Sequence, residues 1–322
     1  MWSKEFESFV SPARDSIFHS DTRWYKCIYN GQPIFVKEFL RNRDGEQETI
    51  EDHIERIERS ERTNQFFISQ GINGAQPISF DDSYTHLYCG RLFVAYQWLS
   101  LYDLCNSKET CYKIGKLVAR IHSIGSVEAK TPFEKTETLN IDEYTSLLRD
   151  FLTLIPCKYS LHRILDLAKV GLTSYHSLHS AHVLSHGDIH LGNIKQNTDG
   201  ELFLLDWEHS GYYHPGIDLF DTALNMCGYL QSKVDLSLFD SIIKGYFESS
   251  IIYFYAGEIP QIVKSMYYYE SVYIFHMLQT IRIAPTNIKK IHEHLNKLFE
   301  LDKYASSFAD ILKTRYSIPK DS

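Results

Sequence analysis

The sequence predicts an α+β protein of two lobes, a strand-rich N-terminal lobe over residues 1–99 and a mainly helical C-terminal lobe over residues 100–322. Three observations lead to this prediction. The length of 322 residues exceeds the usual size of one compact core. Alternating apolar patterns separated by turn residues are concentrated in the first third of the chain. Beyond them, apolar residues mostly recur at the three- and four-residue steps of helices.

The first lobe opens with a predicted β-hairpin. Residues Trp24–Tyr29 alternate between polar and apolar side chains, and Asn30-Gly31 is a strong signal for a two-residue turn. The run Pro33–Leu40 then resumes the strand pattern. Lys37 is therefore expected on the second strand of the hairpin.

A polar helix and another hairpin are predicted to follow. Asp44–Gln70 is acidic with apolar residues at helical spacing, which predicts a solvent-facing helix that ends at Gly71. The nearly continuous apolar run Leu92–Leu99 predicts a strand. Because the chain reads as mainly helical from Tyr102 onward, the boundary between the lobes is expected near Leu99.

The second lobe is predicted to be helical around one short hairpin. The turn Asp199-Gly200 separates two strand-like runs, and Val183–His186 reads as a short strand or loop. The strand-like runs are Asn193–Lys195 and Leu202–Leu205. The amphipathic helices are Cys111–Ser123, Asp142–Phe151 and Leu161–His179.

Composition narrows the possible partners and location. A net charge of −8 and the lack of a Lys/Arg-rich stripe argue against a nucleic-acid binder. The six cysteines contain no Cys-x-x-Cys pair, so we expect reduced thiols. The acidic, mixed N-terminal residues lack the order of a secretory signal, and no run has the length of a membrane span. We therefore expect a cytoplasmic protein that binds neither nucleic acid nor membrane.

One block of polar residues carries the strongest chemical signal. It contains His186, Asp188 and Asn193, and Asp206 follows after the predicted hairpin. Phosphoryl transfer to an alcohol needs a carboxylate that orients the hydroxyl and accepts its proton, and oxygen ligands for Mg²⁺ on the nucleotide phosphates. An Asp followed five positions later by an Asn, with a second Asp returned beside it by a hairpin, meets both needs.

This block resembles the catalytic loop and metal-binding segment of the aminoglycoside phosphotransferase and choline kinase superfamily, relatives of the protein kinases. The resemblance implies a protein-kinase-like fold and a nucleoside triphosphate, ATP or GTP, as co-substrate. It further implies that Asp188 is the catalytic base, that Asn193 and Asp206 hold Mg²⁺, and that His186 supports the loop.

The same resemblance implies a set of nucleotide-binding residues. Lys37 would hold the α- and β-phosphates, with a helix glutamate to fix it. Counting back from the end of the helix favours Glu61, and Glu58 is the next choice. The adenine is expected to bond to backbone groups near Tyr96 and Trp98.

Other segments extend the resemblance over residues 18–225. The phosphate-covering turn is expected at Ser20–Trp24, with Ser20 in the nucleotide site, although this turn lacks the glycines of protein kinases. Ile114–His122 resembles the helix that ends in a histidine. Pro215–Leu219 resembles the segment after the metal aspartate, where Asp218 would brace the catalytic loop.

Two other functions stay open at this point. His186, Asp188 and His190 are residue types that could bind zinc or iron in a hydrolase. That hypothesis leaves the rest of the motif without a role, and we expect His190 only to support the loop. A catalytically degenerate nucleotide-binding protein is the other alternative, but every residue needed for transfer is present.

The acceptor is expected against the C-terminal helices, which combine aromatic residues with the acids Glu258 and Glu270. Such a surface suits a cationic small molecule with a hydroxyl, and the favoured acceptor is an aminoglycoside-like antibiotic or an amino alcohol. The helical spacing of many of these aromatic residues favours a packing face instead. The aromatic residues are Tyr253, Tyr255, Tyr267, Tyr268, Tyr269, Tyr273 and Phe275.

Overall fold

The computed structural model describes residues 22–39, 49–88, 90–126, 139–154, 158–229, 233–249, 251, 254–280 and 287–316. Contacts divide the chain into two compact units. The first lies within Met1–Leu104 and Gly192–Ser210, and the second within Cys105–Leu191 and Gly211–Ser322. The first unit carries a small antiparallel sheet and the second is mostly helical, as the sequence predicts. No helix in the described part of the chain is both long and apolar enough to cross a membrane.

The elements alternate between short strands and longer helices. In chain order they are β1 (Thr22–Tyr29), β2 (Gln32–Phe39), α1 (Ile50–Ser69), β3 (Thr85–Tyr88), β4 (Arg91–Gln97), β5 (Tyr102–Asp103), α2 (Lys108–Gly125), α3 (Ile141–Leu154), α4 (Leu161–His176), β6 (Val183–Ser185), β7 (Ile194–Gln196), β8 (Leu202–Leu204), β9 (Gly211–Tyr213), α5 (Pro215–Met226), α6 (Leu236–Ser249), α7 (Ile259–Thr280) and α8 (Asn287–Tyr316). Single 3₁₀ turns lie at Trp207–His209 and Ala256–Glu258.

The main sheet of the first unit has the strand order β1-β2-β4-β3. The predicted turn Asn30-Gly31 joins β1 and β2, and both of its residues have positive φ angles, 48° and 73°. In β2 alternate side chains face opposite sides. Phe39 packs with α1 and the inner residues of β4, whereas Val36 packs in a second apolar cluster. This alternation puts Lys37 on the same face as Phe39.

Helix α1 starts later than the sequence pattern predicts. The pattern begins at Asp44, but residues 40–48 lie outside the described residues, and the helix begins at Ile50. Thr49 has an extended backbone, and its hydroxyl accepts a hydrogen bond from the Asp52 amide at 3.1 Å. Thr49 is thus an N-cap, which satisfies an amide that the first helical turn leaves without a partner.

The predicted hairpin beyond the catalytic motif is present as β7 and β8, with Ile194 opposite Leu204. One feature differs from the prediction, since Tyr102–Asp103 forms the short strand β5 beside β7. An ion pair of 2.6 Å between Lys195 and Asp103 accompanies this pairing. Two-residue strands carry too little periodicity to be distinguished in a sequence.

In the second unit, helices α2 and α6 pack closely because each has a glycine at the contact. A Cβ at Gly115 would lie 2.1 Å from the carbonyl oxygen of Ile242. A Cβ at Gly245 would lie 2.1 Å from the carbonyl oxygen of Tyr112. The two backbones therefore touch without side chains between them, and α2 is held in the position that presents His122 near its end.

Substitution of Gly115 by Ala should destabilise the protein, because the new methyl group meets backbone atoms that cannot rotate away. We expect a loss of about 1–3 kcal/mol in the free energy of unfolding, which outweighs a gain of about 1 kcal/mol in helix propensity. Urea denaturation measures this change. Gly257→Ala is the matched control, since a Cβ there meets nothing within 4 Å. Equal stability of the two variants would contradict the close-contact explanation.

Candidate functional site

Lys37 lies in the interior of the first unit, with 3% of its side chain exposed. Its Nζ is 3.0 Å from Oδ1 of Asp206 and also contacts Oε1 of Glu208. The rings of Trp24 and Phe39 flank the amine at 5.2 and 4.8 Å from their centroids. Burial alone would lower the pKa of this amine, but the charges of Glu208 and Asp206 outweigh burial and hold the pKa above its usual value. Lys37 is therefore a charged, paired ammonium.

Asn193 and Asp206 come together at the end of the β7–β8 hairpin. The amide of Leu205 donates to the carbonyl of Asn193 at 2.8 Å, and Asp206 is the next residue. Asp206 has φ 65° and ψ 71°, in the left-handed region. Asp enters this region more readily than most residues, and such backbone conformations concentrate at functional sites. The hairpin thus places two oxygen-bearing side chains that suit Mg²⁺ in adjacent positions.

The segment after Asp206 is anchored by a buried tryptophan. The ring of Trp207 stacks on Phe67 of α1 at a centroid distance of 4.8 Å. At the end of β8, just before Asp206, the Leu204 amide donates a hydrogen bond to the carbonyl of Asn73 at 2.9 Å. These contacts hold Asp206 and Glu208 toward Lys37. No role was expected of Glu208 from the sequence, although its place two residues after Asp206 is a signal that could have identified it.

The structure does not join Glu61 to Lys37 as the sequence analysis expects. The carboxylate of Glu61 accepts hydrogen bonds from the Tyr96 hydroxyl and, at 3.1 Å, from the Asn64 amide group. Burial raises the pKa of Glu61 to about 7, against the effect of these hydrogen bonds and of the Lys37 charge. Lys37 pairs instead with the carboxylates that reach it directly. The alternative Glu58 accepts from the backbone amide of Tyr84 at 2.6 Å.

The predicted adenine-binding strand is β4 and the residue after it. Tyr96 pairs with Phe35 of β2, and the backbone amide of Trp98 donates to the carbonyl of Pro33 at 3.4 Å. The backbone amide of Trp98 therefore already donates a hydrogen bond within the sheet, although this bond is long. Ser20 lies outside the described residues, and the latter part of the predicted phosphate-covering turn belongs instead to strand β1, which pairs with β2 along its whole length.

The second unit holds the residues from His186 to Leu191. His186 is fully buried, and its Nδ1 accepts from the amide of Asp188 at 3.3 Å. Gly187 between them has φ 76°, a conformation that glycine adopts without strain. The side chain of Asp188 is 35% exposed, and one oxygen lies 3.5 Å from Nε2 of His190. The tight turn thus leaves the Asp188 carboxylate accessible to a solute.

A second carboxylate braces the strand that leads into this motif. Oδ2 of Asp218 accepts from the hydroxyl of Ser185, at 2.8 Å, and lies 2.8 Å from Nε2 of His122. Nδ1 of His122 is in turn 2.9 Å from the hydroxyl of Tyr246. All four residues are buried. These contacts agree with the bracing role that the sequence predicts for Asp218.

Acidic side chains are close to one another in this unit. The pKa of Asp221 is raised to about 7, first by burial and then by the charges of Asp218, Asp188 and Glu270. Asp221 still keeps part of its surface accessible. A cluster of carboxylates favours a positively charged solute over an anion.

The tyrosine-rich C-terminal segment is mainly a packing face. Tyr267, Tyr268 and Phe275 on α7 are buried, whereas Tyr273 is 57% exposed and stacks on His294. Tyr253 lies outside the described residues. The aromatic cluster predicted as an acceptor surface therefore divides into a larger core part and a smaller accessible part.

Glu258 fastens the chain ahead of β6. Its carboxylate accepts from the hydroxyl and the amide of Ser180 and from the amides of His179 and Tyr255. Burial opposes ionisation of this group, but the hydrogen bonds outweigh burial and lower its pKa to about 2. Glu258 thus acts as a structural clamp on this part of the chain.

The Glu258 clamp predicts a pH-dependent stability. Because its pKa falls from the usual 4.5 to about 2, its contribution is complete above pH 4.5 and is lost as the pH falls toward 2. Glu258→Gln should lower the free energy of unfolding by about 1–3 kcal/mol near neutral pH. Urea denaturation near neutral pH and in the acid range measures this difference.

The difference between wild type and Glu258→Gln should shrink in the acid range. The exposed Glu109, which pairs with Lys113 on the surface, supplies the control Glu109→Gln with little change at either pH. A gap between wild type and Glu258→Gln that stays constant with pH would contradict the assigned clamp.

The donors available for a cation are oxygen atoms. Among the described residues, no three His, Cys, Asp or Glu side chains converge as a metal site, which leaves the hydrolase hypothesis on His186, Asp188 and His190 without support. Mg²⁺ in phosphoryl transfer takes much of its coordination from phosphates and water. The amide of Asn193 and the carboxylate of Asp206 therefore fit that ion without a third protein ligand.

Solved structures with the same fold cover nearly the whole chain. Amicoumacin kinase in complex with AMP-PNP, Ca²⁺ and Ami matches with a TM-score of 0.64 and 13% identity, over 93% of this chain and 92% of that chain. Spectinomycin phosphotransferase in complex with ADP and spectinomycin matches with a TM-score of 0.61 and 14% identity, over 94% and 97%. A choline/ethanolamine kinase family protein from Mesorhizobium loti matches with a TM-score of 0.59 and 12% identity, over 96% and 95%.

Comparison with single protein sequences and comparison with family profiles give different results. No curated protein sequence matches the chain. The profile of the phosphotransferase enzyme family, in contrast, matches residues 48–249, which is more than half of the chain and includes Asp188, Asn193 and Asp206. The chain therefore belongs to the phosphotransferase enzyme family and has a protein-kinase-like fold.

Proposed function

We propose that this protein is a kinase that transfers the γ-phosphate of ATP or GTP to a hydroxyl group of a small molecule. The observation that carries the proposal is the buried ammonium of Lys37 in contact with Asp206, 169 residues further along the chain. A buried ammonium is costly unless an opposite charge is paired with it. Here it lies beside the oxygen donors that phosphoryl transfer needs.

The first unit supplies the nucleotide-binding groups of the proposal. Lys37 neutralises charge on the α- and β-phosphates, and the oxygens of Asn193 and Asp206 hold Mg²⁺. When bound to these residues, Mg²⁺ would offset the negative charge that develops on the phosphates during transfer. Backbone groups near Tyr96 and Trp98 bind the base.

The second unit supplies the group that acts on the acceptor. Asp188 orients the acceptor hydroxyl and accepts its proton as the bond to phosphorus forms. Its accessible carboxylate and the hydrogen bond of its amide to His186 support this role. Nε2 of His190 lies 3.5 Å from this carboxylate.

An amine-bearing acceptor fits the charge of the second unit. The mutual influence of Asp188, Asp218, Asp221 and Glu270 creates a negative environment that a cation would relieve. The named relatives act on spectinomycin or belong to the choline/ethanolamine kinases. We therefore extend the proposal to an aminoglycoside-like antibiotic or an amino alcohol as acceptor, and to the cytoplasm as the place where the nucleotide is available.

A thermal-shift titration tests nucleotide binding. ATP or GTP with Mg²⁺ should raise the melting temperature, because a ligand that binds only the folded protein stabilises it by mass action. At a ligand concentration of about 100 times Kd, the gain is about 2.7 kcal/mol. The preferred nucleotide should give the larger shift, and the shift should diminish without Mg²⁺. Lack of any shift with both nucleotides would contradict the proposal.

Two isosteric substitutions separate the roles of the carboxylates. Asp188→Asn should lower kcat for phosphorylation by a factor of about 10²–10⁴, the usual range for removal of a general base, with nucleotide affinity preserved. Asp206→Asn should instead weaken the Mg²⁺-dependent part of nucleotide binding. Phosphate transfer to a panel of aminoglycosides and amino alcohols, and calorimetry with and without Mg²⁺, provide the measurements. Near-full turnover of Asp188→Asn would show that the base is another residue.

A further inference from the structure

We propose that the first unit has an accessory binding site, a cavity on the sheet face opposite to Lys37, which takes an uncharged planar molecule with an amide-type edge. Such an edge has a hydrogen-bond donor beside an acceptor, as in a lactam. The cavity lies beside the turn that joins β1 and β2 and beside the end of β4. Its volume is about 490 Å³, which is in the usual range for small-molecule sites. This site is additional to the proposed kinase function and does not depend on it.

The sheet register separates the cavity from Lys37. Successive side chains of β2 face opposite sides of the sheet, so Ile34 faces away from the side of Lys37. Ile34 is paired with Gln97 of β4, and directly paired residues share a face. Ile34 packs with Val36 in one apolar cluster, whereas Phe39, on the face of Lys37, packs in another. Ile34 and Gln97 both line the cavity, which therefore lies on the face without the ammonium.

Packing holds the apolar walls of the cavity in place. Ile34 is only 4% exposed. The ring of Tyr29 meets the ring of Phe80 edge-on, with 5.5 Å between their centroids. The backbone amide of Ile78, on another wall, donates a hydrogen bond to the carbonyl of Ala95 at 2.8 Å. These contacts form the walls before any ligand binds, as is usual for small-molecule sites.

The polar part of the lining consists mainly of carboxamides. Asn30, Gln32 and Gln97 line the cavity and are exposed, so their side chains are accessible to a solute. Each carboxamide offers a carbonyl acceptor and an NH₂ donor, which together match a donor beside an acceptor. No lining residue is charged. A charged solute would lose hydration here without an opposite charge to replace it, so the lining favours an uncharged molecule over a phosphate or an amine.

Aromatic rings favour a flat ligand. Tyr29 and Trp98 both line the cavity, and the flat faces of planar molecules stack well on such rings. Lys26 lies close to Trp98, with Nζ 4.1 Å from the ring centroid, but it is not a lining residue. Lys26 is paired with Phe35, one position out of step with Ile34, and so belongs to the opposite face. The ammonium therefore does not change the uncharged character of the lining.

A titration with carbostyril, an uncharged lactam of two fused rings, tests the site. Saturation-transfer NMR measures its Kd in the presence of saturating ADP and Mg²⁺, which would occupy the nucleotide site of the proposed function. Carbostyril should bind with a Kd of about 1 mM or tighter, in accord with the binding energy available to a molecule of its size. Quinaldate, which has the same rings but carries a carboxylate, should bind at least about tenfold more weakly. Lack of carbostyril binding, or equal binding of quinaldate, would overturn the inference.

Two variants locate the bound carbostyril. Gln97→Ala removes a carboxamide and should raise the Kd about fivefold, the loss expected for one hydrogen bond. Gln32→Trp fills the cavity from an exposed position and should raise the Kd at least about tenfold. Gln70→Ala is the matched control, since Gln70 is an exposed carboxamide at the end of α1 and does not line the cavity. This control should keep the Kd within about twofold of wild type. Wild-type affinity in either cavity variant would overturn the site.

Competition with ADP distinguishes this site from the nucleotide site. Carbostyril that ADP displaces in proportion to its own binding would lie in the nucleotide site, and that result would overturn the accessory site. Binding that is unchanged by ADP supports it. If ADP itself does not bind, the proposed function fails, but the effects of Gln97→Ala and Gln32→Trp on the Kd of carbostyril still decide whether the cavity is a binding site.

Discussion

The burial of one ammonium group constrains much of the first unit. Lys37 is inside the protein, and an unpaired charge there costs several kcal/mol. Its partners Asp206 and Glu208 come from a distant part of the chain, so that part must return to the sheet in a defined position. The β7–β8 hairpin and the stacking of Trp207 provide that position. The left-handed backbone of Asp206 is maintained by the same contacts, since a strained residue persists only where its surroundings hold it.

The second unit uses carboxylates in two distinct ways. Asp218 and Glu258 are buried and accept hydrogen bonds, and both contact residues in or close to strand β6. Asp188 is partly exposed and keeps its carboxylate available to a solute. The difference follows from surroundings and not from residue type, because a carboxylate that accepts several hydrogen bonds is held in one position. The same unit thus contains buried structural carboxylates and an accessible one.

Much of the fold follows from local patterns. The hairpin at Asn30-Gly31 and the helices α2 to α4 form where turn chemistry and apolar periodicity predict them. The exact ends of the helices and strands were less predictable from the sequence. Helix α1 begins at Ile50 because Thr49 caps it, and the strand β5 is two residues long. Such details depend on single hydrogen bonds and on pairing partners that periodicity does not encode.

The sequence by itself determined the family and the order of the chemical groups, because the spacing of Asp188, Asn193 and Asp206 is a property of a short stretch of chain. Only the tertiary structure decided which carboxylate meets Lys37. The glutamates of α1 share helical spacing, so the rotation of the helix against the sheet selects their contacts, and it turns Glu61 to Tyr96. Long-range ion pairs depend on distances of a few ångströms between segments far apart in sequence, and local patterns carry no information about those distances.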